Sequence, residues 1–458
     1  MTGIAAPPRP LPGPSRAYNF PDFERLTLPN GLSIVVAPVP KLPIVTTLAL
    51  VDAGAAADPR GQEGVALLTA RSLAEGTVHN DGAALAERFE GLGTALDASA
   101  DWDSATVRVT VMTSRLPAAM ALLAEVLHEP AFPDREVERI RQERLADLLQ
   151  QRAEPRGLAD DMFDRFTYAP DSRYALPDGG SEATVDALSR EAVRAFYQSR
   201  YTPSATTLIM VGDITRESAR AVASEAFASW SGPAVPPVLV SDQPARSSRA
   251  VHLVAKADAP QSELRVGHVG VPRLHPDYFA IVVMNAILGG LFSSRINLNL
   301  REANAFTYGA FSSFDWRRGA GPFAVSTAVR SDVTDAALRE ILVEIERMRE
   351  AEVSDAEMSL ATSYLDGVFP IRFESTSAIA SALASLVSYG LPDDYFDRYR
   401  ANIRSVSAAD VLRAARAHVR PEQLQIVAVG DAAAVREPVA QLGLGPVQVY
   451  DAEGNPLP

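Results

Sequence analysis

The chain of 458 residues contains no cysteine, which removes disulfides, thiolate metal sites and a cysteine nucleophile at once. Its compartment stays open, because many proteins of oxidising compartments also lack cysteine. Histidine is scarce. The six, at positions 79, 128, 252, 268, 275 and 418, include no two at i and i+3 or i+4, so no helix carries paired imidazoles and each reads as an ordinary surface or core histidine. Long hydrophobic runs are missing too: the longest mostly apolar stretch, Phe279 to Leu288, is about half the ~20 residues a spanning helix needs. Positive charge is outnumbered, with 43 Lys and Arg against 57 Asp and Glu and a net charge of -14. That balance opposes a nucleic-acid backbone or an anionic membrane as partner. No G-x-S-x-G elbow occurs, so nothing local joins a serine, a histidine and an aspartate into a hydrolase triad. The N-terminal segment MTGIAAPPRPLPGPSR has neither a basic n-region nor an apolar h-region. It reads as a Pro-rich mobile arm and not as a signal peptide. A soluble protein is expected, cytoplasmic by default, or periplasmic if a signal was removed.

What is present points to a duplication. Apolar residues make up 47% and charged residues 22%, values of a globular chain long enough for two or more cores. The segment Leu188 to Asp213 aligns without gaps on Val406 to Asp431 at a constant offset of 218. Ser189 meets Ser407, Pro203 meets Pro421, and each copy ends in Gly-Asp. In each, a serine precedes apolar residues at helical spacing, Val193 and Phe196 or Val411 and Ala414. An N-capped amphipathic helix is predicted, followed by a Pro turn and a covered strand at Leu208 to Val211 or Leu424 to Val429. A second echo, FPDREVERIRQE from Phe132 against VSDAEMSLATSY from Val353, has an offset of 221, so three residues are inserted or lost between the two matches. Near the start, RLTLPNGLSIVVAPVP reads as strand, turn, strand, with Val45 to Val51 as a further strand. The expected fold is α+β, built as two homologous duplicated domains, each an antiparallel-rich mixed sheet with helices on one face. The expected boundaries are an arm over 1–20, a first domain over 21–230, a Pro- and Ser-rich linker over 231–248 and a second domain over 249–458.

Several motifs together carry a family resemblance over roughly Phe23 to Val435: the LPNGL hairpin, a helix ending in E-G-T, the duplicated Gly-Asp strands, and the segment L-R-E followed by a tyrosine. The chain resembles the pitrilysin/insulinase family of zinc peptidases. In catalytic members the first helix carries H-x-x-E-H, two zinc-binding imidazoles one turn apart around a general base. The matching segment here is GVALLTARSLAEGT, Gly64 to Thr77, and its motif positions hold Leu67, Ala70 and Arg71. Both imidazoles and the base are gone, and a permanent cation takes one ligand position. The family's third ligand, a glutamate, falls at Glu143, which lies in a helix so charged that a solvated side chain is the ordinary reading.

The second copy keeps the family's other pair. Arg301 and Tyr308 stand seven residues apart, as the family's substrate-binding arginine and tyrosine do, and the resemblance gives them substrate binding and stabilisation of carbonyl charge. Without it they read as a surface helix residue and an ordinary strand aromatic. Gly289 and Gly290 fit a flexible loop or a helix C-cap, and Phe306 and Phe311 are expected in the core. The resemblance thus implies the zinc-less, non-catalytic subunit of a two-subunit peptidase, like the mitochondrial processing peptidase and bacterial relatives. This chain would bind no cofactor. A homologous H-x-x-E-H partner would carry the zinc, and a peptide would be the substrate. The alternative is a structural or peptide-holding protein of the same fold without proteolysis.

Overall fold

The computed structural model describes residues 17–238 and 240–458. Twelve strands form two six-stranded sheets. The first contains β1 (Glu24–Thr27), β2 (Ser33–Pro38), β3 (Ile44–Val51), β4 (Asp97–Ala100), β5 (Ala105–Met112) and β6 (Thr206–Gly212), in the order β1-β2-β6-β3-β5-β4. The second contains β7 (Ala250–Ala255), β8 (Gln261–Val269), β9 (Ala310–Phe314), β10 (Pro322–Arg330), β11 (Gln425–Gly430) and β12 (Val447–Tyr450), in the order β12-β7-β11-β8-β10-β9. Five strands correspond one to one. The sixth does not: β1 is the antiparallel hairpin partner of β2, whereas β12 lies parallel to β7 and comes from the far end of the chain.

Local signals set these elements. In the LPNGL turn Gly31 sits at φ 91°, a left-handed conformation glycine adopts without strain. The Asn30 side chain accepts from the Leu32 amide and donates to the Phe227 and Trp230 carbonyls. Ser189 caps the helix Arg190–Arg200, and Ser407 caps Ala408–His418, where Asp410 completes a capping box. The two halves fall out of register by three residues between helix Thr376–Ser388 and helix Ala408–His418. That interval holds the helix Tyr395–Ser405, whereas the equivalent interval of the first half holds a 3-10 turn and the short helix Glu182–Asp186.

Helices cover both faces of each sheet, and the second face is covered by the other half. The helix Pro155–Thr167 lays Leu158, Met162 and Phe163 on Val254, Val427 and Val429 of the second sheet. There Phe163 nests over Gly267, where an added Cβ would fall 2.8 Å from its ring. Arg265 of β8 is sealed beneath this helix and donates to Asp160 at 2.5 Å. In return, helix Thr376–Ser388 packs Ile379 and Leu383 into the cluster holding Leu48, Leu50, Ile209 and Val211 of the first sheet. Thr376 also hydrogen-bonds Thr46 at 2.8 Å. Each fully buried aliphatic side chain of this kind contributes about 1.5–3 kcal/mol, so the exchanged helices bind the halves together firmly.

Of the arm drawn over residues 1–20, residues 1–16 lie outside the described residues, while Phe20 is buried against Phe373 and Phe396. The segment 231–248 contains no helix and no ladder strand among its described residues. It is nonetheless tied to the first half through Ala169 N–H to the Gln243 carbonyl and Ala245 N–H to the Thr167 carbonyl. The helical run Tyr278–Ala303 is long and apolar enough to cross a membrane, with mean hydropathy 1.7. It is mostly buried and breaks at Leu291 into extended backbone, which makes it a core helix.

Candidate functional site

The first candidate lies on the helix Val65–Ser72. Gly64, at φ 98°, turns the chain into it. The carboxylate of Asp58 accepts from the Gly64 and Ala66 amides at 2.7 and 2.9 Å, which satisfies orphan donors of the first turn. Arg173 donates to the same carboxylate at 2.8 Å, and both side chains are buried. Burial pushes the Asp58 carboxyl up to about 6, against the opposing charge of Arg173. The helix turns Val65, Ala66, Leu68, Thr69, Ala70 and Ser72 into the core.

The three motif positions therefore have different environments. Leu67 is half-buried, Ala70 is sealed, and Arg71 reaches out to Asp147 at 3.4 Å. Glu143 is exposed and held by Arg139, which also grips Glu75 and Glu136. Arg144 stands close by, its pKa lowered by burial and by the charge of Arg71, and donates to the Gly179 carbonyl at 3.0 Å. A zinc ion does not fit this set. The only ligand-type side chain at the inherited positions is Glu143, already paired, and Arg71, Arg139 and Arg144 would repel a dication.

The second candidate lies at the end of the broken helix in the second half. After Tyr278–Asn285 the helix widens into a π turn over Ala286–Gly290, breaks, and resumes as Arg295–Asn297 and a second π turn, Leu298–Ala303, which carries Arg301. Such widened turns concentrate at functional sites. Two asparagines hold this region to β9. Asn297, fully buried, donates to the Phe292 carbonyl at 2.7 Å and accepts from the Ala310 amide at 3.0 Å. Asn285 exchanges two bonds with Ser312 at 2.9 and 2.7 Å. Gly289 serves neither as a flexible loop nor as a cap: a Cβ there would lie 2.5 Å from the Ser312 amide, so the residue must be glycine for the helix to pack on β9.

Arg301 is 36% exposed at its side chain, with the neighbouring Glu302 at 3.4 Å as its one ion-pair partner among the described residues, and it lies 4.5 Å over the ring of Phe292. Tyr308 is 93% exposed. Phe306 packs at the core margin as expected, but Phe311 does not. β9 reads buried, exposed, buried along AFSSF, so Phe311 and Phe314 have opposite parity and Phe311 faces out. Phe292, Phe311 and Tyr308 are all exposed, and of the three Phe292 lies against the Arg301 guanidinium. Phe292 and the two asparagines went unnoticed in the sequence; the asparagine ending the apolar run YFAIVVMN was the one available cue.

The fold also joins two histidines that the sequence separates. His275, Asp277 and His418 bring their ligand-type atoms within 4.8 Å of one another. Every one already has a protein partner. Asp277 accepts from His418 at 2.7 Å and Arg413 at 2.8 Å, and the Asp277 amide donates to His275 Nδ1 at 3.1 Å. The cluster is a clasp between the start of the broken helix and helix Ala408–His418.

Comparison with known proteins matches residues 35–171 to the family described as insulinase (peptidase family M16) and residues 187–365 to the peptidase M16 inactive domain. A probable mitochondrial-processing peptidase subunit beta of Arabidopsis thaliana is 25% identical, covering 93% of this chain and 82% of its own. An uncharacterized zinc protease of Streptomyces coelicolor is 23% identical, covering 86% of each. Among solved structures, a peptidase M16 inactive domain from Pseudomonas fluorescens is 26% identical with TM-score 0.83, over 89% of this chain and 98% of that one. A Helicobacter pylori protease, 18% identical with TM-score 0.84 over 90% and 100%, shares the fold.

Proposed function

Because the chain belongs to the insulinase (M16) family of peptidases, we propose that it is the zinc-less half of a two-chain enzyme, supplying Arg301 and Tyr308 to a homologous H-x-x-E-H partner that cleaves peptides. The carrying observation is the exposure of Tyr308 together with that of Arg301, a half-exposed cation that among the described residues pairs only with its own neighbour Glu302. A tyrosine held out into water by the ordered turn before β9, where Thr307 is pinned by Gly309 and Thr327, supports a contact outside its own half. A guanidinium and a phenol hydroxyl are both donors, and one donor aimed at the oxygen of a peptide carbonyl is worth ~3 kcal/mol as charge develops there. The Phe292 ring against the guanidinium would help exclude water from that contact. Metal and general base would come from the partner, since the helix that bears them in relatives offers neither here.

The test is to purify the chain alone and with the H-x-x-E-H homologue encoded nearest to it, and to follow cleavage of a quenched fluorescent peptide. Activity is expected only in the mixture. Arg301→Ala and Tyr308→Phe should each lower its turnover tenfold or more while the two chains still co-elute. Metal-dependent cleavage by the isolated chain would sink the proposal. Unchanged turnover in both variants would favour the structural role instead.

A further inference from the structure

A cavity of about 310 Å³ lies where the two halves and the segment between them meet. Asp52, Asp103 and Tyr174 wall it from the first half, Val238 and Val240 from the connecting segment, and Arg273, Arg318 and Tyr389 from the second. The site is independent of the Arg301 and Tyr308 surface, and no part of the proposed peptidase role uses it.

Two of its charges form no ion pair among the described residues. Arg273 is only 8% exposed. Its guanidinium lies 3.7 Å from the ring centre of Tyr278 and donates to Tyr395 Oη at 2.6 Å. Among the described residues it has no carboxylate partner, and Nε and Nη1 have no acceptor. Asp103, 6% exposed, accepts from the Arg318 amide at 3.0 Å through Oδ2, while Oδ1 has no donor among the described residues. The two do not pair with each other. The Arg318 side chain hydrogen-bonds neither of them: it is held by Asp52 and the Ser388 carbonyl. Burial pushes the Asp103 carboxyl up to about 6, with Asp101 adding to the rise and Arg318 and Arg317 opposing it.

Unpaired buried charges are costly, and their cost falls when a ligand supplies the missing partner. An anion would answer Arg273 and leave Asp103; a cation would do the reverse. We propose that this cavity binds a small zwitterion of amino-acid or dipeptide size, its carboxylate on Arg273 and its ammonium on Asp103. The volume stands at the small end of ordinary ligand sites, and a junction between domains is a common place for one. Tyr174, Tyr389 and the two valines leave apolar wall for a side chain. An occupant would touch both halves and the connecting segment at once.

The test uses the full chain without a partner. Calorimetric titration and thermal unfolding are followed with L-leucine and glycyl-L-leucine, and with N-acetyl-glycyl-leucine and glycyl-leucine amide. At least one free zwitterion should bind and raise the unfolding midpoint, and each blocked form should bind at least tenfold more weakly. Asp103→Asn should weaken the free form at least tenfold. Ala57→Phe, which fills the cavity and leaves both charges in place, should abolish binding; it keeps the test sharp if Arg273→Gln fails to fold. The proposal is overturned if neither free zwitterion binds at millimolar concentration, if an acetylated or amidated form binds equally well, or if Ala57→Phe binds undiminished.

Discussion

The helix that follows the third strand of the first half and its counterpart after β8 are each anchored by an aspartate and an arginine, but the first anchor is sealed and the second is open to water. Asp58 and Arg173 are 0% and 9% exposed at their side chains, whereas Asp277 and Arg413 are 19% and 53% exposed. The helix behind the sealed anchor is the one on which the family resemblance would place the H-x-x-E-H motif. Here it has become core, with Ala70 fully buried and Arg71 turned outward. The helix behind the open anchor breaks and widens to hold Arg301 and Tyr308 at the surface. One copy of the fold thus packs this helix into its core, while the other holds Arg301 and Tyr308 out toward water.

The sharpest way to break this comparison is to remove each anchor. Asp58→Ala leaves Arg173 buried without its charge partner and uncaps the helix, and should cost roughly 3–5 kcal/mol in a urea titration. Asp277→Ala, in a half-exposed cluster, should cost about 1 kcal/mol. Equal losses would mean that the two helix starts are equivalent. Ala70→Glu comes next. Returning a carboxylate to the position of the lost base should cost about 3 kcal/mol or more if that face is truly closed. Wild-type stability in this variant would show a helix that still opens on a cavity and merely lacks ligands.

A smaller effect should appear with pH. Asp103 titrates near 6 in the folded protein and near an ordinary aspartate value, close to 3.8, when unfolded. The folded chain therefore holds a proton that the unfolded chain has released between those values. Its contribution to stability is full below about pH 4 and is lost as pH rises through about 6. Relative to Asp103→Asn, the ligand-free wild type should lose roughly 2–3 kcal/mol of unfolding free energy between pH 4 and pH 7. A constant difference across that range would mean that the carboxyl is better compensated than its surroundings imply.

Much of this plan could be read from the chain, for reasons that are local. Serine caps, the Pro-Asn-Gly turn and the Gly-Asp strand ends act within a few residues, so the repeat and its elements showed through. The exchange of helices between halves did not. Amphipathic spacing says that helix Pro155–Thr167 must bury Leu158, Met162 and Phe163, but not that the sheet beneath belongs to the other half. The unmatched sheet edge was hidden for the same reason, since nothing in Val447–Tyr450 specifies which strand it will join. His275 and His418 are 143 positions apart, and Arg273 and Asp103 come from different halves; spacing arguments do not reach such pairs. Phe311 was misplaced because an aromatic is most often core, yet strand parity against Phe314 decides it.

The smallest expected effect bears most directly on the outward-facing half of the comparison. Tyr308 is almost wholly in water and Arg301 keeps only a weak ion pair and the face of Phe292. Removing a side chain that buries little surface removes little free energy. Tyr308→Ala should therefore shift the unfolding free energy of the isolated chain by less than about 0.5 kcal/mol, and Arg301→Ala by no more than about 1 kcal/mol. Asn297→Ala is the control. It is fully buried and ties the break at Phe292 to β9 at Ala310, so it should cost about 1–3 kcal/mol. If Tyr308→Ala were as damaging as Asn297→Ala, the tyrosine would be part of the frame, and its exposure could no longer be read as readiness for a second chain.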